Sequence, residues 1–390
     1  MSSKILLVGN IYDKHICRLV NHVSSIVGDD VQIDIFNTNT SKHPLPEMYS
    51  CYGIVYNKRK YFPALMYKLP KIGVFFSGIL DTVISFNKLN GKKYDLVNIH
   101  FVSWNLYFAI NKLKRVSSFL MLSPWGSDVY RIGSSVAFKI VNSVFKKADF
   151  VSAAKIKFRE DIKNKFAVPE SKFIELGFGS STIDEIVRNK EITKEEAKRA
   201  FNINDKYVIT CGYNGSEQQN HAEIINAIFS IKNKIRKDII LIIPMTYGAN
   251  NAYINKTRLL LDKLGFDFLL ITEYLSDQEI TTLRKCSDIF IHAQPTDAFS
   301  ASVQEYLLTD TKVINGKWTR YPDLEKYGVP YYIFNSFEEL GSVIIQAYDD
   351  VNYSINSELI KEIENRGWNI QSKQWAQFYS NVKYLKSNEC

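Results

Sequence analysis

The sequence predicts an α/β protein of two Rossmann-like, doubly wound domains. Three observations predict it. Short apolar runs alternate with stretches of helical period along nearly the whole chain. The alternation breaks at a polar stretch near residue 185 and then starts afresh. The chain has 390 residues, 46% hydrophobic and 23% charged, which suits two domains of roughly 150–200 residues, each with an ordinary core.

The elements follow in order. Lys4–Val8 is a buried first strand with Gly9-Asn10 as its turn, and His15–Val27 has helical period. Val31–Phe36, Tyr94–His100 and Ser118–Ser123 are further strands. Ser135–Lys147 reads as a helix, Phe150–Ala153 as a strand, and Phe173–Gly177 closes the first half. Ser181–Glu185 and Arg188–Glu196 are polar and read as the linker. The second series contains Tyr207–Cys211, Ile239–Met245, Phe268–Ile271, Ile289–His292, Lys312–Ile314 and Pro330–Ile333. Apolar strands separated by helices predict parallel sheets covered on both faces. Each sheet then carries a crevice at the carboxyl ends of its strands. The expected domains are residues 1–182 and 183–365. Residues 366–390 form a helical tail, with Trp368, Trp375 and Phe378 at helical spacing, that packs back on the N-terminal domain.

Composition excludes several classes. No run of eighteen apolar residues appears, so no transmembrane helix is expected, and Met1–Gly9 reads as a strand start rather than a signal peptide. Five scattered cysteines without a CxxC pair predict reduced thiols in a cytoplasmic protein and no zinc site. Charge is uneven: residues 1–180 carry roughly +12 and the remainder roughly −4. A basic N-terminal half seeks an anionic surface, whether nucleic acid, phospholipid or a phosphate-bearing substrate.

Five constellations carry chemistry. The first is Asp297-Ala-Phe-Ser-Ala-Ser-Val-Gln-Glu305, between an apolar strand and an apolar helix start. Glu305, expected in the first helical turn, can accept both hydroxyls of a ribose. Asp297 in the loop can hold sugar hydroxyls. The amides of Phe299, Ser300, Ala301 and Ser302 suit a diphosphate. The structural alternative is a simple N-cap. The second is Gly212-Tyr213-Asn214-Gly215, followed by His221 at a helix start, a phosphate-binding geometry or an ordinary turn.

The third is Pro124-Trp125-Gly-Ser-Asp128 after a strand, with Asp128 as base, substrate anchor or helix cap. The fourth is His100 at a strand end, where open α/β sheets bind ligands, or else a satisfied buried histidine. The fifth is the basic aromatic region from Tyr56 to Phe76, with Lys58, Arg59 and Lys60, which suits a membrane interface, a lipid-phosphate acceptor or single-stranded nucleic acid. A solvated loop with a core helix is the plain alternative.

Together these residues resemble the GT-B glycosyltransferases, particularly the bacterial group that builds surface polysaccharides. The resemblance covers nearly the whole chain. The group's acid-x7-acid motif stands here as Asp297…Glu305, and its His-Gly-Ser-Asp element as Trp125-Gly-Ser-Asp128. Asn98-Ile-His100 looks like its upstream strand-end histidine segment. Gly212–His221 is similar to a short stretch of the lipid II acetamido-dideoxygalactose transferases of enterobacterial common antigen synthesis. The resemblance implies two Rossmann-like domains facing a central cleft. It implies a UDP-, GDP- or TDP-sugar donor in the C-terminal domain, with Glu305 on the ribose and Asp297 on the sugar. It also implies a polyprenyl-linked or oligosaccharide acceptor in the N-terminal domain, at a cytoplasmic membrane surface, for O-antigen, capsule or a similar polymer.

The sequence departs from the group in three places. The first glycine loop is only Gly9-Asn10, no Arg/Lys pair follows Gly212, and Asp297 and Ser300 replace the more usual Glu and Gly. Lys317 and Arg320 are the candidates for neutralising the diphosphate. No Asp-x-Asp motif is present, so neither a metal nor another cofactor is expected. If the reaction inverts, Asp128 or His100 is the expected base. A nucleotide-sugar epimerase of the same architecture is the nearest competing reading. A nucleic-acid-binding protein is weaker, since no RNP or zinc-knuckle motif is present. A dinucleotide dehydrogenase lacks its GxGxxG after the first strand.

Overall fold

The computed structural model describes residues 2–40, 52–61 and 72–388. Contacts divide the chain into two units, Met1–Gly179 with Trp368–Cys390, and Ser180–Gly367. In the first unit the strands are β1 (Ser3–Gly9), β2 (Val31–Asn37), β3 (Val55–Asn57), β4 (Tyr94–His100), β5 (Ser117–Ser123), β6 (Phe150–Ser152) and β7 (Phe173–Ile174). They pair in parallel in the order β3-β2-β1-β4-β5-β6-β7. The order reverses between β1 and β4, which opens a crevice at their carboxyl ends.

β1 is apolar on both faces because both are covered: Ile5, Leu6, Leu7 and Val8 are fully buried. The helix Lys14–Val27 begins where the Asp13 carboxylate accepts from the His15 and Ile16 amides, and it ends at Gly28. Its Ile16, Leu19, Val20 and Val23 pack with Ile5, Leu7, Ile33 and Ile35. The final helix, Trp368–Asn381, contributes Trp368, Trp375 and Tyr379 to the same core. Trp375 Nε1 donates to the Gly177 carbonyl at 2.8 Å, so this helix is an integral layer of the first unit.

The second unit repeats the plan. Its strands are β8 (Tyr207–Cys211), β9 (Ile239–Pro244), β10 (Asp267–Ile271), β11 (Ile289–His292), β12 (Lys312–Gly316) and β13 (Tyr332–Phe334). They pair in parallel as β10-β9-β8-β11-β12-β13, with the reversal between β8 and β11. One face buries Ile209, Leu241 and Ile291 against Ile224, Ile228 and Ile344. The other buries Phe290 and Val313 against Val303, Tyr306, Leu359 and Ile363.

The stretch expected as a linker is not one. Ser181–Arg188 is a helix capped by Ser180, and its Ile183 and Ile186 are buried. Lys194–Ala200 is a second helix, opened by a reciprocal capping box between Thr193 and Glu196. Polar composition hid them, because one apolar side chain per turn is enough to dock a short helix. β3 also escaped notice, lying inside the basic aromatic stretch. Of that stretch, residues 62–71 lie outside the described residues, and Ile72–Ser85 is a helix.

Candidate functional site

The second unit carries its site at the strand-order reversal. After β8 the chain turns at Gly212, whose φ is +68°. A Cβ there would lie 2.9 Å from Gln219 Oε1 and 3.1 Å from His221 Nε2, so both backbone angle and space demand glycine. Gly215 is close-packed too, with its amide on the Tyr247 carbonyl at 2.7 Å. A Cβ at Gly215 would meet Ala249 at 2.5 Å. Asn214 Oδ1 accepts from the Ser216 amide, which fixes the loop between the two glycines.

A buried glutamine pair joins this loop to the one that follows β11. Gln219 Oε1 accepts from the Tyr213 amide at 3.3 Å. Gln219 Nε2 donates to Gln294 Oε1 at 2.6 Å, and the Tyr213 hydroxyl donates to the same oxygen at 3.0 Å. Asn220 donates to the Ala293 carbonyl at 2.8 Å. Two loops that flank the reversal are thereby held as one surface. The helix His221–Ile231 starts there. His221 is fully buried, Tyr253 bonds its Nδ1 at 3.0 Å, and its Nε2 has no partner beside Gly212. Burial lowers the His221 imidazole to about 4, so it is neutral near pH 7. When the Tyr253 hydroxyl donates to Nδ1, Nε2 carries the proton and faces the loop as a donor.

Asp297 follows β11. Its Oδ1 accepts from the Phe299 amide at 3.0 Å, a local turn, and its Oδ2 lies 3.6 Å from His292 Nε2. His292 is fully buried, bonded through Nδ1 to Asn315 Oδ1 at 2.7 Å, and stacked under the Tyr213 ring at 5.9 Å. Because Asn315 Oδ1 only accepts, His292 Nδ1 carries a proton and Nε2 points at Asp297. Neither His292 nor Asn315 stood among the expected site residues. Strand-end position was the signal for His292, as it was for His100.

Glu305 is placed differently from expectation. Ser300 is the cap of the helix Ala301–Leu308, so Glu305 is its fifth residue, beyond the first turn. Its side chain is buried. Oε2 accepts from Arg284 Nε at 3.1 Å and Oε1 from the Ser180 hydroxyl at 3.0 Å. Arg284, also buried, donates further to the Tyr306 hydroxyl and to Ser302 Oγ. Asp297 and Glu305 share no hydrogen-bond partner. The side chain of Ser300 accepts from Val303, leaving the Ala301 and Ser302 amides at the open end of the helix. The Phe299 ring lies under the Arg366 guanidinium at 4.5 Å.

The two expected diphosphate cations are placed differently. Arg320 forks onto Glu325 at 2.6 and 2.7 Å, so its charge is already matched. Lys317 is exposed in the turn after β12, and among the described residues its amine has no hydrogen-bond or ion-pair partner.

The first unit has its own crevice at the β1/β4 reversal, a cavity of about 300 Å³. His100 and Trp125 line it together with Asp13, Asn10 and Thr38. Burial lowers the His100 imidazole to about 3. Asn98 donates to His100 Nε2 at 3.1 Å and to the Tyr379 hydroxyl at 2.9 Å, while its Oδ1 accepts from Ser123. That network leaves the proton on Nδ1, which is buried and has no partner among the described residues. The histidine is therefore no base in this state. Asp128 is buried and accepts from three amides: Val102 at 2.7 Å, Trp125 at 2.8 Å and Gly126 at 3.0 Å. Burial raises its pKa and these amides oppose the rise. Its carboxylate braces two loops. The carboxylate that lines the crevice is Asp13, which did not stand among the expected site residues. Its Oδ1 caps the helix, and among the described residues Oδ2 makes no hydrogen bond.

Lys58, Arg59 and Lys60 follow β3. Burial lowers the Lys58 amine, with Asp81 opposing, while Arg59 and Lys60 are exposed. None of the three lines the cavity that Trp125 walls.

No protein-family model matches the sequence, and no curated protein is significantly similar to it. Solved structures are similar in fold. One is a glycosyltransferase from Rickettsia africae, with TM-score 0.67, 15% identity and 98% of each chain covered. Another is Anabaena HepE in complex with UDP, with TM-score 0.69, 14% identity, and 97% of this chain and 100% of that one covered. A third is a sucrose-phosphate synthase from Thermosynechococcus elongatus, with TM-score 0.70, 13% identity, and 98% and 100% covered. The architecture is thus GT-B, two doubly wound α/β units.

Proposed function

We propose that this protein is a glycosyltransferase that moves a sugar from a nucleotide-diphospho-sugar to an acceptor hydroxyl. One observation carries the reading: the loops after β8 and β11 are welded by Gln219 and Gln294 into one surface at the strand-order reversal, with a glycine-bound turn, a helix start and Asp297 on it. The diphosphate is assigned to the Gly212–Gly215 turn, the His221 Nε2 and the open amides of Ala301 and Ser302. Asp297 is assigned to hydroxyls of the donor sugar, and Glu305 with Arg284 to the ribose side of the pocket. The UDP bound in HepE supports uridine as the nucleotide to try first. The acceptor is assigned to the crevice of the first unit, where Asp13 offers the available carboxylate oxygen.

Thermal unfolding with UDP-, GDP- and TDP-sugars tests this reading. One nucleotide series should raise the midpoint, since about 100-fold excess over Kd adds about 2.7 kcal/mol. Asp297→Asn should then lower turnover at least tenfold, roughly 1.4 kcal/mol, with an unfolding midpoint near wild type. Stabilisation by no nucleotide, or conversion of the donor to an epimer without acceptor, would overturn the transferase reading.

We further propose a lipid-linked or oligosaccharide acceptor of a surface polysaccharide, met at the cytoplasmic face of the membrane. No helix among the described residues is long and apolar enough to cross a membrane. The support is the basic first unit, with Arg59 and Lys60 exposed. Replacing Lys58, Arg59 and Lys60 by glutamine should weaken sedimentation with anionic liposomes severalfold at about 0.1 M salt. Unchanged sedimentation removes these residues from membrane binding.

A further inference from the structure

The first unit has a second concave feature, at the other end of its strands from the crevice. A cavity of about 330 Å³ opens beside the amino ends of β4 and β5, and Lys92, Lys93, Lys112 and Arg115 stand in its wall with Asn90. Strand register gathers these cations. Tyr94 pairs with Ser117 in parallel, so the segments that precede β4 and β5 enter side by side. One brings Lys92 and Lys93, the other Lys112 and Arg115. β4 has seven residues, which sets this end roughly 20 Å from the carboxyl ends that form the crevice.

Both segments stand on the core. Phe86 and Leu89 are fully buried just before the turn at Asn90, and Phe86 stacks on Phe36 at 3.9 Å. Gly91 holds φ +75°, and the Lys92 amide closes that turn on the Leu89 carbonyl at 3.1 Å. Leu113 and Val116 anchor the helix Ile110–Val116. Packed backbone, rather than a loose tail, therefore presents the four charges.

Helix electrostatics explains only part of the gathering. A cation in the last turn offsets the partial negative charge of a helix end, which suits Lys114 and Arg115. Lys114 also meets Asp149 at 3.2 Å. Lys112 is in the first turn, where a cation opposes the helix dipole, and Lys92 and Lys93 are in no helix. Burial and the Arg115 charge lower the Lys112 amine. Like charges set around one cavity repel, and a bound anion removes that cost. A phosphate group carries about −1.5 to −2 near pH 7, so four cations match two phosphate groups. The volume is at the small end of ligand pockets, which suits a diphosphate better than a whole nucleotide.

We infer that this cavity is an anion site for two phosphate groups, borne by a soluble diphosphate or by a lipid headgroup. No residue of the donor loops or of the crevice enters it, so it stands or falls apart from the transferase reading.

Titration calorimetry of the full chain with inorganic pyrophosphate reads the soluble source. Sedimentation with phosphatidylcholine vesicles containing cardiolipin, whose headgroup holds two phosphates, reads the lipid source at about 0.1 M salt. At least one of the two should bind. Replacing Lys92, Lys93 and Arg115 together by glutamine should weaken that binding at least about tenfold, while Lys92→Arg with Lys93→Arg keeps it. Replacing Lys139, Lys146 and Lys163 by glutamine removes the same charge elsewhere on the unit and should leave binding near wild type. All six positions are exposed, so the unfolding midpoints should stay close to wild type. Loss in the pyrophosphate titration identifies a soluble ligand, and loss in the vesicle assay alone a lipid one. Binding of neither probe, equal binding by wild type and the Lys92, Lys93 and Arg115 variant, or an equal fall in the second triple variant each overturns the site. Pyrophosphate held only at the donor loops gives the second of these outcomes and leaves the transferase reading standing.

Discussion

Glu305→Ala should lower the stability of the protein by roughly 3–5 kcal/mol, because it strands the buried Arg284 guanidinium without its carboxylate. Urea unfolding should show this as a large drop in midpoint at unchanged slope. The size of the effect matters for interpretation. A sugar-binding defect in this variant would be confounded with partial unfolding, so the single substitution is a poor test of the site. The better test removes both charges. Glu305→Leu with Arg284→Met replaces a buried ion pair by apolar side chains of similar size, which is often close to neutral for stability. The double variant should regain most of the lost midpoint yet bind nucleotide at least tenfold more weakly. An unaltered midpoint in Glu305→Ala would refute the ion pair. Wild-type nucleotide affinity in the double variant would remove Glu305 from the donor site.

Asp128→Ala should also be damaging, by about 3–5 kcal/mol, since three amides, two of them buried, lose their acceptor and each unsatisfied buried donor costs about 1–3 kcal/mol, less than additively. Asparagine at this position still accepts with one oxygen, but its NH2 opposes an amide, so Asp128→Asn should fall between. The two roles once open to this residue make different predictions. A general base would show wild-type stability and a collapsed kcat. A brace shows lower stability, and activity that follows the folded fraction as temperature is lowered. The loops it joins carry Phe101 and Trp125, both of which line the crevice of the first unit.

Most strands were readable because each is a short apolar run buried on both faces. Such runs leave little choice once helical segments separate them. The site was legible in position and less so in role. The strand ends singled out in the sequence, after β8, β11 and β4, are ones that flank the two reversals of strand order. What the sequence hid was the partners of the polar side chains. Glu305 and Arg284 meet across twenty-one positions of chain, and no local pattern reports such a partner. Asp128 bonds amides on two loops, one of them twenty-six residues away, and a sequence shows only that an acid follows a glycine. The misread linker is different, since its evidence was local. Thr193 three residues before Glu196 is a capping box in plain sight, and it lost to the polar appearance of its surroundings.

The route of the chain through its two units has a consequence for how the protein is made. The second unit is inserted into the first, entering at Ser180 and leaving at Gly367. Those two residues are bridged to one another, with the Ser180 amide on the Arg366 carbonyl at 3.0 Å. A segment whose ends are already tied together can close on itself as soon as it leaves the ribosome. The first unit has no such freedom. Its β1 and leading helix are synthesised at the outset, but Trp368, Trp375 and Tyr379, which complete their core, come last. The half made first is therefore finished second, and the nascent chain carries an open apolar face through most of its synthesis. Chaperone demand and sensitivity to premature stop codons should concentrate in that interval.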